Sequence, residues 1–322
     1  SFTKKISLFS MISRLFHRPW VALLFAPLLL GGCGNSANDK LVIVTTTTQI
    51  TDMVKAVAGD RVEVVALMGP GVDPHLYKPS AKDVATIGRS DLIFYNGLLL
   101  EGRMEDAFAQ AKRKGIKAYP VTQAIPEDQL LQPPGFSGHP DPHVWFDPAL
   151  WTLCIDVVRD GLTEIDPAGK EVFAENAAKL KQEYLAVTDW AKSRISEIPE
   201  KSRKLVTSHD AFNYFGRAFG LEVMAVQGMS TAVKASSSDR VKMVGYVKEY
   251  NLKAIFVESS VNPEMINGVA RETGVQVGGK LFSDAMGKPG ELETGSDGET
   301  YDVGTWVGMM KHNVNVIVEG LK

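Results

Sequence analysis

The feature that most constrains the fold is an alternation of short β-branched runs with segments of helical spacing, repeated in both halves of the chain. Leu41-Val42-Ile43-Val44 is apolar and β-branched, and the series Ile50, Met53, Val54, Val57 behind it keeps one helical face. The order recurs as a strand at 62–67, a helix at 81–87, a strand at 92–95, a helix at 104–112 and a strand at 117–120. It restarts with strands at 204–207, 222–226 and 254–257, helices at 212–219, 239–250 and 263–272, and a further strand that ends in Leu281-Phe282. Strand–helix alternation predicts an α/β protein with mainly parallel sheets flanked by helices. Residues 126–142, with five prolines and two glycines, read as an irregular loop, and 287–298 as a glycine-rich one. Residues 301–321 read as a final helix that buries Val303, Trp306, Met310, Val314, Ile317 and Leu321.

Between the two runs of alternation lies the clearest helix, 166–198. Asp166 suits an N-cap, Pro167 the first helical position, and Phe173, Ala177, Leu180, Tyr184, Val187, Ala191 and Ile198 keep helical spacing until Pro199. It is longer than one small domain needs, so it is expected to be a backbone joining two lobes, 33–165 and 199–322.

The N-terminal residues follow a different rule. Lys4, Lys5, Arg14 and Arg18 precede an apolar run at 20–30, too short for a comfortable permanent span, that ends in Leu30-Gly31-Gly32-Cys33. This predicts an export signal at 1–32, and its last four residues resemble the bacterial lipobox, in which the cysteine carries the lipid. Removing it would take the formal charge from −3 to −7, because it holds four basic and no acidic side chains. Such an acidic chain argues against nucleic acid as a partner. Cys154 then remains the single thiol, within the helical pattern 151–162, and is expected to be a small buried hydrophobe.

In open parallel sheets, ligands gather beyond the carboxyl ends of the strands. Four candidates stand there: His75 after the strand 62–67, His143 after the proline-rich loop, His209 after 204–207 and Asp284 after Leu281-Phe282. Three of the six histidines and one aspartate, two from each half, make a plausible set of donors for a d-block cation. Four protein ligands leave little room for an activated water, which points to binding and not to catalysis. Pro142 and Pro148 stiffen the segment that presents His143. Asp141 is a weaker candidate for a supporting role behind it, Asp147 is expected to cap the next helix, and Glu258 to act as a structural hydrogen-bonding group. His17 lies in the signal, His139 in the exposed loop, and His312 is expected to be solvated on the final helix.

Several stretches carry a resemblance: Gly71-Val72-Asp73-Pro74-His75-Leu76-Tyr77-Lys78-Pro79-Ser80, His143-Val144-Trp145-Phe146-Asp147-Pro148, Thr207-Ser208-His209-Asp210-Ala211-Phe212, Ile255-Phe256-Val257-Glu258-Ser259-Ser260 and Ser283-Asp284-Ala285-Met286-Gly287. In these the chain resembles, colinearly from about residue 41 to its end, the zinc/manganese solute-binding lipoproteins of ABC importers, the TroA-like family. The resemblance implies two α/β lobes joined by a long helix, with Zn2+ or Mn2+ held between them by His75, His143, His209 and Asp284. It departs from the zinc-only branch, whose histidine- and acid-rich loop is represented here only by His139. It departs from manganese-specific members in having His209 where they typically carry glutamate. The third nitrogen donor favours zinc, with manganese second. The expected function is a monomeric extracytoplasmic receptor, anchored to the membrane through Cys33 in the periplasm or at the cell surface, that delivers metal to an ABC permease. A metal-dependent hydrolase and a metal-binding surface adhesin are the rival readings. Asp147, Asp210 or Glu258 would be the hydrolase's base, but no H-E-x-x-H spacing occurs.

Overall fold

The structure is a computed structural model that describes residues 40–133 and 138–322. The export signal, Cys33 and His17 therefore lie outside the described residues. Chain order is β1 (Leu41–Thr45), α1 (Thr48–Ala58), β2 (Val62–Ala66), α2 (Ala81–Ile87), β3 (Leu92–Tyr95), α3 (Glu105–Arg113), β4 (Lys117–Pro120), α4 (Pro148–Ile165) and α5 (Lys170–Ile195). It continues as β5 (Lys204–His209), α6 (Asn213–Phe219), β6 (Glu222–Gln227), α7 (Ser237–Glu249), β7 (Ala254–Glu258), α8 (Glu264–Thr273) and β8 (Gln276–Leu281). The last elements are β9 (Leu292–Thr294), β10 (Thr300–Asp302) and α9 (Trp306–Leu321).

Two parallel-stranded lobes result. In the first, all pairings in the order β2-β1-β3-β4 are parallel. In the second, β5 pairs with β6 and β7 with β8, again parallel, and β5 and β7 lie side by side. Alternation along the strands decides which core each residue joins. Ile43 and Phe94 face α1, α4 and α5, whereas Val44, Ile93 and Tyr95 face α3. Leu205 and Phe256 likewise point to the shared interior, while Val206 and Ile255 pack under α7 and α8. The first of these cores is continuous through both lobes, running from Ile43 and Trp151 to Trp306 and Leu321.

The long helix is the seam of that core. α5 has 26 residues, about 39 Å at 1.5 Å per residue. Phe173, Ala177, Leu180, Tyr184, Val187, Ala191 and Ile195 form its buried stripe, packed on α1 and α4 of one lobe and on α9 of the other. Its entrance differs from the expected cap. A 3-10 turn, Pro167–Gly169, precedes it, and the Asp166 carboxylate accepts two bonds from the Arg61 guanidinium, 2.7 and 3.0 Å, instead of capping. An ion pair with a neighbouring element outcompetes a local cap where such a fork is within reach.

The C-terminal segment also departs from expectation. Residues 287–298 are not wholly irregular: β9 and β10 form an antiparallel pair, and Tyr301 and Val303 precede α9 instead of opening it. Thr305 caps α9 by accepting the Gly308 N–H at 3.0 Å. The glycines that suggested a loop serve the hairpin, with Gly298 at φ 82°, which favours glycine. Burial pushes the Cys154 thiol pKa up, as expected of an inert thiol inside α4. No helix among the described residues is long and apolar enough to cross a membrane.

Asn313 of α9 links this framework to the segment that leads from β8 to Asp284. Its Oδ1 accepts the Phe282 N–H at 2.9 Å and its Nδ2 donates to the Phe282 carbonyl at 2.7 Å, all of it buried. Asn313→Ala would leave two buried main-chain groups unpaired. Chemical denaturation of the metal-free protein is expected to show a loss of about 2–4 kcal/mol; a loss within experimental scatter would contradict this role.

Candidate metal centre

Each of the four candidate side chains arrives from a carboxyl end of the sheets. His75 lies on the loop between β2 and α2, His143 between β4 and α4, His209 is the last residue of β5, and Asp284 follows β8 by three residues. Thus His209 sits on a strand rather than the expected loop, which fixes its direction more firmly. All four are buried: His143 and His209 are 0 % exposed, Asp284 1 % and His75 7 %.

Their tips converge. His75 Nε2 lies 3.3 Å from His143 Nε2; Asp284 Oδ1 lies 3.4 Å from His143 Nε2, and its Oδ2 3.3 Å from His209 Nε2 and 4.0 Å from His75 Nε2. One ligand atom from each residue falls within 4.8 Å of every other. A tetrahedral cation with bonds of about 2.05 Å has donor-to-donor edges of about 3.3 Å. Three of these separations already have that length, and the longer ones leave a slightly open cage. His209 Nε2 and both Asp284 oxygens are buried without a hydrogen-bond partner of acceptable geometry among the described residues. Such orphaned atoms, pointing at one another, call for a common partner.

The backs of the imidazoles are held by carboxylates. Asp141 Oδ1 accepts from His143 Nδ1 at 2.7 Å and from its backbone N–H at 2.9 Å. Glu258, at the end of β7, accepts the His209 backbone N–H through Oε1 at 2.8 Å and His209 Nδ1 through Oε2. These bonds leave both Nε2 atoms toward the cluster and raise their basicity. Glu258 therefore has the hydrogen-bonding role expected of it, and Asp141 a more direct one than its position before a proline suggested.

Other expected roles divide. Asp147 caps α4, with Oδ1 accepting from the N–H groups of Ala149 and Leu150 at 3.0 and 3.4 Å. His312 is not simply solvated: Nδ1 pairs with Glu293 Oε2 at 2.6 Å and Nε2 with the Lys280 carbonyl at 2.8 Å. Helix phase put it off the apolar stripe but could not foresee the β9 side chain that meets it there. His139 stays away from the cluster, beside Pro140 on a separate cleft. Three groups that sequence reasoning passed over hold the Asp284 loop. Gln49 Nε2 and Trp145 Nε1 both donate to the Ser283 carbonyl, at 3.2 and 3.1 Å, and Thr48 Oγ1 accepts the Met286 N–H at 2.9 Å. The threonine run Thr45-Thr46-Thr47-Thr48, which begins at the end of β1, and the segment that holds Trp145 after His143 were the available signals.

The electrostatics follow from burial and neighbours. Burial, helped by the nearby His143 and His209, drives the His75 pKa down to about 3. Burial also opposes a charge on His143, but Asp141 and Asp284 outweigh it and carry the value up to about 9. His209 is held well above the ordinary range, Glu258 and Asp284 overcoming its burial. Asp284 is held well below, because His209 and His143 overcome the cost of burying a carboxylate. The raised values of His143 and His209 and the lowered value of Asp284 are thus two sides of one attraction.

A site of this construction has relatives. The family model of ZnuA, zinc-uptake complex component A, periplasmic, matches residues 43–320. The chain belongs to this family. It is 41% identical over 311 residues to the manganese-binding lipoprotein MntA of Bacillus subtilis (strain 168), covering 94% of this chain and 98% of the relative. It is 39% identical over 291 residues to the zinc-binding protein TroA of Treponema pallidum (strain Nichols), covering 89% and 90%. The solved periplasmic zinc-binding protein TroA from Treponema pallidum superposes with a TM-score of 0.82 at 38% identity, covering 88% of this chain and 99% of that one. In this ZnuA-family member, as in that relative, two α/β lobes are joined by one long helix.

A cation needs unprotonated Nε2 atoms, and at neutral pH those of His143 and His209 carry protons that it must displace. Lowering the pH therefore strengthens the competitor. From pH 8 to pH 5 zinc affinity is expected to fall by about ten- to a hundredfold per pH unit, with about one to two protons released per ion. Calorimetry in buffers of different ionisation enthalpy measures both; equal affinity at pH 5 and 7.5 would remove histidine from the site.

Proposed function

We propose that this chain is an extracytoplasmic receptor that captures one divalent transition metal between its lobes, through His75, His143, His209 and Asp284, and delivers it to an ABC permease. The observation that carries the proposal is the convergence of four buried donors, three of whose atoms lack any other partner among the described residues. Two donors come from each lobe, so binding ties the lobes together.

Zinc is the first choice of cargo and manganese the second. Three imidazole nitrogens and one carboxylate suit zinc, whereas manganese prefers oxygen donors and stands at the weak end of the divalent series. The relatives divide on this point, since MntA is described as manganese-binding and TroA as zinc-binding. The metal is cargo, so affinity must allow release. We read the chain as a receptor and not an enzyme because four protein donors suit a closed tetrahedral shell, and both Glu258 oxygens are engaged by His209. Export and lipid attachment at Cys33 belong to the same proposal; the basic leader, the apolar run and the Leu30-Gly31-Gly32-Cys33 sequence support it, as does the description of MntA as a lipoprotein. Monomeric action at the membrane surface is part of this reading.

Elemental analysis of protein purified without chelator, followed by zinc–manganese competition, tests the assignment. One equivalent of zinc per chain and at least about a hundredfold preference for zinc are expected from a three-nitrogen site. Manganese retained against equimolar zinc would reverse the order, and no bound metal with either ion would overturn the proposal.

A further inference from the structure

The tripeptide Asp-Pro-His occurs twice, at Asp73-Pro74-His75 and Asp141-Pro142-His143, and both copies fold alike. In each, the aspartate Oδ1 accepts the backbone N–H of the histidine two residues on, at 2.8 and 2.9 Å, across a proline that fixes the backbone. In each, the other oxygen reaches the C-terminal lobe. Thr231 Oγ1 donates to Asp73 Oδ2 at 2.6 Å, and Asn213 Nδ2 donates to Asp141 Oδ2 at 3.1 Å. Every donor imidazole from the first lobe is thus tied to the second through the aspartate before it.

The copies differ in one respect. His143 is also held at Nδ1 by Asp141, and His209 at Nδ1 by Glu258. Among the described residues, no protein group accepts from His75 Nδ1. His75 is also the least buried of the three, at 7 % against 0 % for the others. Its orientation rests on its loop and on contact with the other two imidazoles, without a carboxylate behind it, and the loop is anchored across the cleft by Thr231. The anchor is itself built: Gln227 Nε2 donates to the carbonyls of Thr231 and Val233 at 2.9 and 2.8 Å, and Thr231 is buried.

We propose that Asp73 and Thr231 form a latch between the lobes that sets how long the metal stays, with His75 the ligand that lets go first. Thr231 is then a positioning residue: it touches no donor atom and acts through Asp73. When the hydroxyl releases the Asp73 carboxylate, the loop swings His75 out and leaves the ion on three donors. The proposal rests on His75 being a ligand.

Stopped-flow transfer of zinc from the full chain to a chromogenic chelator tests it. Thr231→Val should raise the zinc dissociation rate about tenfold, the effect of losing one charge-assisted hydrogen bond, with association changed less than about twofold. Thr231→Ser should restore the parent rate. Asn213→Ala should change dissociation less than about threefold, because His143 keeps its Nδ1 bond. A Thr231→Val protein with parent-like circular dichroism and an unchanged dissociation rate would overturn the latch, as would a serine variant as fast as the valine one. Should the valine variant not fold, Thr231→Ala removes the same hydroxyl without adding bulk and must still release zinc faster. His75→Ala binding zinc as tightly as the parent would instead remove the proposed site, a failure distinct from that of the latch.

Discussion

An ionised carboxylate in a dry interior has to be answered by something, and in this protein Asp284 is the group that sets the demand. It is buried, among the described residues no hydrogen bond satisfies either oxygen, and the imidazoles of His143 and His209 face it. Asp284 in turn favours the charged forms of His143 and His209, the two groups for which a bound cation would compete. In the proposed receptor the site is a charge exchanger, in which protons on the imidazoles and one divalent ion are alternative answers to the buried Asp284 carboxylate. Asp141 and Glu258 extend this logic outward, since each presents an imidazole Nε2 to the cluster by engaging Nδ1.

The architecture exists to bring those groups together from opposite sides. A single apolar core runs through both lobes, and α5 lies along it with buried residues from Phe173 to Ile195. Polar bonds add to the seam. The N–H of Trp306 at the start of α9 donates to Asp52 of α1 at 2.9 Å, and Trp306 Nε1 donates to the Trp145 carbonyl at 2.9 Å. Separating the lobes as rigid bodies would expose this core and break those bonds together. The proposed loss of metal takes a local route instead, through the loop of His75, whose imidazole has no carboxylate at Nδ1 among the described residues.

Much of the framework was legible in the sequence. Strands buried on both faces, such as Leu92-Ile93-Phe94-Tyr95, are continuous apolar runs, and the helix read at 81–87 is α2. The four donors could be picked out because the carboxyl ends of parallel strands are where such folds place ligands. Less legible were features fixed by partners distant in sequence. Arg61 draws Asp166 from its expected cap across 105 residues, and Glu293 captures His312 from a strand that glycines disguised as a loop. The clamps on the Asp284 loop, from Gln49 and Trp145, connect residues more than a hundred positions apart, and no local pattern encodes them. Likewise the likeness of the two Asp-Pro-His segments is plain in the sequence, but that each aspartate spends its second oxygen on the opposite lobe is visible only in three dimensions.

The central claim is that one cation replaces the protons at this cluster, and X-ray absorption at the zinc edge on the protein loaded with one equivalent tests it most directly. The account predicts a shell of three imidazole nitrogens and carboxylate oxygen at about 2.0–2.2 Å, losing one nitrogen in His75→Ala. A shell dominated by oxygen, or one unchanged by that substitution, would contradict it.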